Sequence, residues 1–266
     1  MCCKKDLRKP FDALWENGDP FEKARALEGK VFRSVKNRRT IRFEVDGAGY
    51  FMKYHGPVSW GEILKNISQF KLPVLGATNE YDAIRLLESL NIDTMKICAY
   101  AVKGWVPAGL HSFLITEELT NRIPLEDFCR NWKDNPPAPA LKNALIRKLA
   151  DVCSLMHNSG LNHRDCYLCH FLLNEDLFRQ GKISLTVLDL HRAQIRKQIP
   201  RRMRIKDLAG IFFSSMDLGL TKRDALRFIA EYEKRRKLSP CLWRSVLSAA
   251  ARLYRKEYGK DCPYDI

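Results

Sequence analysis

Two hydrophobic periods divide this chain. In RTIRFEV, Ile41, Phe43 and Val45 alternate with Thr40, Arg42 and Glu44, the period-two signature of a half-buried strand. Asp46-Gly47 is a hairpin signal, and YFMKYH (50–55) returns as the next strand. With KVFRSV before the turn at KNR, residues 30–55 predict a three-stranded antiparallel meander. On either side the period lengthens. DPFEKARALEG (19–29) predicts a short helix with Asp19 as cap, Pro20 in the first position, Glu22 completing a capping box and Gly29 as the stop. Ser59 and Glu62 form a second capping box, after which Trp60, Ile63, Leu64, Ile67 and Phe70 share one helical face up to Pro73. A helix over 77–90 and strands around KICAYAV and SFLITEEL follow. Beyond about residue 120 helix dominates. Leu141, Leu145, Leu149, Val152 and Leu155 or Met156 form a stripe that Gly160 ends, and further helices are expected at 206–219, 221–236 and 240–258. The fold class expected is α+β, with a small antiparallel-sheet half and a larger helical half. The boundaries expected are an extension over 1–29, a sheet-rich lobe over 30–119 and a helical lobe over 120–266.

Composition narrows the class. The chain has 266 residues, 45% hydrophobic and 29% charged, as in a soluble globular protein rather than a disordered one. No apolar run approaches the ~18–20 residues that span a bilayer. MCCKKDLRK opens with charge and no apolar segment, so no export signal is expected. Nine cysteines at scattered spacings then suggest reduced thiols and a cytoplasmic address. The formal net charge of +15 calls for an anionic partner: nucleic acid, an acidic membrane surface, an acidic protein or a phosphorylated substrate.

The stretch HRDCYLCHFLL (163–173) carries two spellings at once. Cys-x-x-Cys-His spells covalent haem attachment, but that chemistry belongs to exported chains. Zinc needs four ligands, and no second cysteine pair is present. A redox dithiol lacks its usual βαβ surroundings. Cys166 and Cys169 read more simply as small, partly buried apolar side chains. His-Arg-Asp spells the catalytic loop of a kinase. Asp165 is followed five residues later by His170, then by the strand FLLN, a turn through NEDLFRQGK, and the strand SLTVLD ending at Asp189, 24 residues after Asp165. Upstream, Lys53 lies in a third strand and Glu80 near the start of a helix. Order and element type match the parts that phosphoryl transfer requires.

KLPVLGATNEYDAIRLL, SFLITEEL, MHNSGLNHRDCYLCHFLL, LDLHRAQ and KDLAGIFFSSMDLGLTKRDALRF together resemble the eukaryotic-kinase-like lipopolysaccharide kinase family, over roughly residues 10–235. The resemblance implies a two-lobed protein-kinase-like fold. It also implies an ATP- and Mg2+-dependent kinase that phosphorylates the first heptose of the lipopolysaccharide inner core. Lys53 would hold the α- and β-phosphates and Glu80 would orient it. Asp165 would accept or orient the hydroxyl proton, and Asp189 would chelate magnesium, with His170 beside it. His163 and Arg164 would brace the loop, and Asp207 would cap a helix or tie down the loop's backbone. Met52 and the backbone of Glu117, Glu118 and Leu119 would line the adenine slot.

The chain departs from the kinase pattern at His170, where asparagine is usual, and at His191, where glycine follows the metal aspartate. Lys36, Arg38 and Arg39 stand where a glycine-rich phosphate loop is expected; phosphate contact and an ordinary hairpin turn both fit them.

RAQIRKQIPRRMRIK (192–206) holds seven Lys or Arg and no acid. It suits an anionic acceptor, such as the lipid-linked lipopolysaccharide core. No aromatic stacking platforms interleave these cations, so nucleic acid is not expected as a partner. The expected location is peripheral, at the inner face of the cytoplasmic membrane. Docking there would use the 60–70 stripe or the basic C-terminal helix with Arg244, Arg252, Arg255 and Lys256, although core packing is the commoner use of such stripes. An acidic acyl-carrier-type protein is a further possible partner. The alternatives are a kinase of another sugar, such as the keto-octulosonic acid, and a non-catalytic module binding anionic lipid.

Overall fold

The computed structural model of the chain describes residues 4–8, 11, 18–35, 37–61, 68 and 76–263. The chain divides into two compact units, residues 1–85 with 95–120 and residues 86–94 with 121–266.

The first unit is built on six antiparallel strands. These are β1 (Lys4–Leu7), β2 (Lys30–Val35), β3 (Arg38–Val45), β4 (Ala48–His55), β5 (Ile97–Lys103) and β6 (His111–Glu117), in the spatial order β1-β5-β6-β4-β3-β2. The expected meander is its β2-β3-β4 portion. Asp46 and Gly47 turn the β3-β4 hairpin with φ of 51° and 78°, the positive angles that a two-residue hairpin matching strand twist demands. The alternation also holds: Ile41 and Phe43 are buried with Tyr50, Met52, Phe113 and Ile115, and the odd-numbered partners of β4 point the other way.

That parity corrects one expectation. Met52 was placed at the adenine, beside Lys53. Adjacent strand residues face opposite sides, and Met52 is fully buried in the core opposite Lys53. Met52→Ala is expected to lower stability by about 2–5 kcal/mol in denaturant melts. Nucleotide affinity of the folded fraction should be unchanged; a selective loss of that affinity would return Met52 to the adenine site.

Helix α1 (Pro20–Ala26) opens as expected, with Phe21 N donating to Asp19 Oδ1 at 2.9 Å. It stops at Ala26, three residues before Gly29. Gly29 serves packing instead, since a Cβ there would lie 2.3 Å from the Arg42 carbonyl oxygen. Phe21 and Ala24 of α1, and Phe11 before it, enter the same core as the sheet. Helix α2 (Thr78–Ser89) is joined to β6 by Ala77 N, which donates to Ser112 Oγ at 2.9 Å. Tyr81 stacks on Tyr100 of β5 with centroids 3.9 Å apart. The helix expected between Trp60 and Phe70 lies almost wholly outside the described residues.

The second unit contains the sheet β10-β9-β7, made from β7 (Arg122–Pro124), β9 (Phe171–Asn174) and β10 (Leu185–Val187). A small ladder pairs β8 (Leu161–Asn162) with β11 (Gln194–Ile195). The helices are α3 (Leu125–Phe128), α4 (Pro139–Asn158), α5 (Glu175–Arg179), α6 (Arg201–Ser215), α7 (Lys222–Tyr232) and α8 (Pro240–Tyr258). The turn expected at NEDLFRQGK is the short helix α5, because the Asn174 side chain accepts from Leu177 N and caps it. Helix α6 begins five residues earlier than its periodicity suggested, so the last six residues of the basic segment are helical. The apolar stripe of α8 is a core stripe: Ala250 and Tyr254 pack with Ala209, Phe213 and Met216 of and after α6. Gly160, at φ 86°, ends α4, and a Cβ there would meet the Arg196 carbonyl oxygen at 1.8 Å.

Candidate active site

Lys53 projects from β4 on the face opposite the core, and its Nζ lies 2.5 Å from Glu80 Oε1 in the first turn of α2. The lysine side chain is about a quarter exposed, whereas that of Glu80 is 1% exposed. The second oxygen, Oε2, is buried with no hydrogen-bond partner among the described residues. A carboxylate held this way is stable only while a cation sits on it, so the pair locks the ammonium in place. Sequence order alone had brought these two residues together, and the structure joins them.

The other nucleotide-side residues sort differently. Glu118 is gripped by Arg42, whose Nε and Nη2 donate to its two oxygens at 2.7 Å each and hold its carboxyl below the usual range. Glu117 pairs with Lys96 at 3.3 Å. Their amides donate to the carbonyls of Lys96 (3.0 Å) and Gly49 (2.9 Å). The turn after β2 is tied down at Asn37, which accepts from Gly56 N at 2.7 Å and donates its side-chain amide to the Pro57 carbonyl. Arg39 donates to the Arg25 carbonyl at 3.2 Å, Arg38 opens β3, and Lys36 lies outside the described residues.

In the second unit, one buried acid organises the His-Arg-Asp loop. Asp207, in the middle of α6, accepts from His163 N at 2.7 Å, Arg164 N at 2.9 Å, Asn162 Nδ2 at 3.2 Å and His157 Nε2 at 3.4 Å. Of the two roles expected for Asp207, the structure selects the backbone tether. Burial pushes its carboxyl up, but the His157 bond and the neighbouring histidines and Asn162 outweigh burial and hold it below its ordinary range. The tether also sustains the left-handed backbone of Arg164 (φ 73°), a conformation costly for a non-glycine L-residue without such support. Beneath it, Tyr232 Oη lies 2.6 Å from His157 Nδ1 and accepts from Arg204 at 2.6 Å. Arg204 is therefore a buried structural cation, not one offered to a ligand.

His163 braces the loop a second way. Its Nε2 donates to the Leu188 carbonyl at 2.7 Å, connecting the loop to the residue before Asp189. Burial lowers its pKa and keeps it neutral. Its ring lies parallel to His170 with centroids 5.7 Å apart. His170 Nδ1 donates to the Asp165 carbonyl at 2.7 Å, and Nε2 stands 3.5 Å from Asp189 Oδ2. Burial works against its charge, but hydrogen bonds to Cys169 and the Asp165 carbonyl, with the charge of Asp189, push it up to about 9. A protonated His170 places a cation beside the Asp189 carboxylate. Cys166 is buried and Cys169 partly so, and both are free thiols.

Asp189 has the left-handed backbone (φ 57°, ψ 49°) that aspartate tolerates, and its Oδ1 is 2.5 Å from His191 Nδ1. Asp165 was foreseen, but its partner was not: Arg192 Nη1 donates to both carboxylate oxygens, at 2.8 and 3.0 Å. No local signal in the sequence marks that contact, since the two residues are 27 positions apart.

Among the described residues, no cluster of three or more His, Cys, Asp or Glu side chains could hold a metal ion. Asp189 places a carboxylate on a short loop, and magnesium carried by a polyphosphate needs only one or two protein carboxylates, because it keeps water and phosphate oxygens in its shell.

Comparison with known proteins identifies the family. Residues 22–232 match the model of the lipopolysaccharide kinase (Kdo/WaaP) family. The chain is 50% identical over 230 residues to lipopolysaccharide core heptose(I) kinase WaaP of Pseudomonas aeruginosa, covering 86% of each chain. It is 47% identical over 228 residues to the protein of that name from Escherichia coli, covering 85% of this chain and 86% of the relative. A solved structure described as WaaP in complex with acyl carrier protein superimposes with a TM-score of 0.80 at 43% identity, covering 96% of this chain and 99% of that one. A lysine locked to a buried glutamate, a tethered His-Arg-Asp loop and a family match over most of the chain make this protein a kinase, and a member of the lipopolysaccharide kinase (Kdo/WaaP) family.

Proposed function

We propose that this kinase transfers the γ-phosphoryl group of ATP to a hydroxyl of the first heptose of the lipopolysaccharide inner core. The acceptor follows from the names of its relatives. The observation that carries catalysis is the Lys53–Glu80 pair, because a degenerate binding module has no need to keep a buried carboxylate solely to aim an ammonium.

In this reading Lys53 would bind the α- and β-phosphates, and Asp189 would hold a magnesium ion, which supplies charge neutralisation of the phosphates when bound. The acceptor oxygen attacks the γ-phosphorus, the bond to the β-phosphate bridging oxygen breaks, and the hydroxyl proton passes to Asp165. Adenine is received by the main chain at Leu119, the amides of Glu117 and Glu118 being already committed. His191 and His170 flank Asp189 and fix its carboxylate where glycine and asparagine stand in the usual loop.

An acidic acyl-carrier-type protein is proposed as a partner. The complex named above, the net charge of +15 and an apolar cavity of about 420 Å³ within the helical unit support it. Leu145, Leu149, Ile211, Phe228 and Leu247 are among its lining residues, with Lys222 and Arg244 also present. Peripheral attachment to the inner face of the cytoplasmic membrane suits a lipid-linked acceptor. No described helix is long and apolar enough to cross a membrane, while Trp105 is 77% exposed.

The test is the mass of dephosphorylated core oligosaccharide after incubation with the protein, ATP and magnesium. The expected product carries one added phosphate on the first heptose. Phosphate arriving only on the keto-octulosonic sugar would replace the acceptor. Absence of any magnesium-dependent nucleotide binding would leave the non-catalytic reading.

A further inference from the structure

Charge is out of balance around Asp165. Arg164, Arg192, Arg196 and Lys206 all act electrostatically on this corner of the second unit. Of the two nearby acids, Asp207 has both oxygens engaged by amides, Asn162 and His157. Asp165 is therefore the one carboxylate left to several cations. Among the described residues Arg196 has neutral partners, Asn162 Oδ1 at 3.3 Å and Gln194 Oε1 at 2.5 Å. The Nε of Arg164 is buried with no acceptor among the described residues. Partial burial and the charge of Arg192 hold Lys206 below its ordinary range, with Asp165 working the other way. Such a cluster is short of negative charge, and an anionic ligand would supply it.

Arg192 is also in the way of the chemistry. A guanidinium nitrogen bonded to both oxygens of Asp165 occupies lone pairs that a substrate hydroxyl needs. Yet the contact is not locked. The Arg192 side chain is 38% exposed against 17% for Asp165, so the arginine can swing to another acceptor without losing a buried position. Carboxylates and phosphates are the acceptors that a guanidinium fork fits best.

We infer that Arg192 leaves Asp165 for an anionic group, carboxylate or phosphate, that the acceptor carries beside its reacting hydroxyl. One contact then selects an anionic acceptor and uncovers the catalytic base. A neutral sugar alcohol would bind with Arg192 still on Asp165. This rests on the sugar-kinase reading above and adds to it the residue that reads the acceptor's charge.

The experiment compares two acceptors: lipid-linked core whose first heptose is unphosphorylated, and the same material with its carboxylates reduced to alcohols and its lipid phosphates removed. For the unaltered enzyme the neutral acceptor should have a KM higher by about tenfold or more. Arg192→Gln should raise the KM for the anionic acceptor by a similar factor, erase the difference between the two acceptors, and leave the KM for ATP within about twofold. Arg192→Lys, which keeps the charge and loses the fork, should retain part of the discrimination and guards against a folding defect in the glutamine variant. Equal use of both acceptors by the unaltered enzyme overturns the inference. So does an Arg192→Gln enzyme that still discriminates, or one whose defect lies in the KM for ATP, which would place Arg192 on the transferring phosphoryl group instead. Failure of the unaltered enzyme to phosphorylate either acceptor overturns the sugar-kinase reading itself, and the inference with it.

Discussion

Asp165→Ala should slow phosphoryl transfer by about 10²–10⁴-fold while the protein stays folded. The asymmetry between rate and stability comes from where this carboxylate sits. Its side chain is 17% exposed, and its visible partner is Arg192, which is 38% exposed and can be rehydrated when the acid is removed. An ion pair of that exposure contributes roughly 1 kcal/mol or less to folding. Asp207 cannot take the acceptor hydroxyl's proton in place of Asp165, since it is buried behind the loop and fully engaged. ADP release with core oligosaccharide, measured next to a thermal melt, checks both halves. Normal turnover by the alanine variant would remove Asp165 from the role of base. A collapsed melt would mean that its main task is structural.

Asp207→Ala should produce the opposite pairing, a large loss of stability with loss of activity as its consequence. Four donors converge on this one carboxylate, two of them main-chain amides of the His-Arg-Asp loop. Removing it strands buried donors and releases Arg164 from its left-handed backbone, and broken buried networks of this kind cost about 3–5 kcal/mol. Asp207→Asn keeps one acceptor oxygen and should fall between. Because the folded protein holds this carboxyl below its ordinary value of 3.8, its stabilisation is complete above that pH and is lost as pH falls through the folded-state value. Urea melts from pH 3 to pH 7 should therefore show the gap between parent and alanine variant narrowing on the acid side. A pH-independent gap, or one under about 1 kcal/mol, would show that the tether is dispensable.

Local features of the chain were legible where they depend on near neighbours. Period two placed Ile41 and Phe43 in the core, Asp46-Gly47 turned the hairpin, and Asp19-Pro20 began its helix, because each device acts within a few residues. The order Lys53, Glu80, Asp165, Asp189 was legible for a related reason: a catalytic loop and its hairpin form one short stretch of chain. The same parity rule, applied to Met52, would have excluded it from the adenine site, since neighbours in a strand cannot share a face. The end of α1 was misjudged because Gly29 answers to the backbone of β3, not to the helix before it.

What the sequence by itself determined, then, is the strand and helix type of its strongly periodic segments and the order of the residues proposed for phosphoryl transfer. Tertiary structure alone decided who holds those residues: Arg192 on Asp165, Asp207 beneath His163 and Arg164, and His170 beside Asp189. The physical reason is range. Periodicity and capping are settled by neighbours along the chain, whereas an ion pair or a protonation state is settled by whatever burial brings within a few ångströms, and spacing along the sequence carries no record of that.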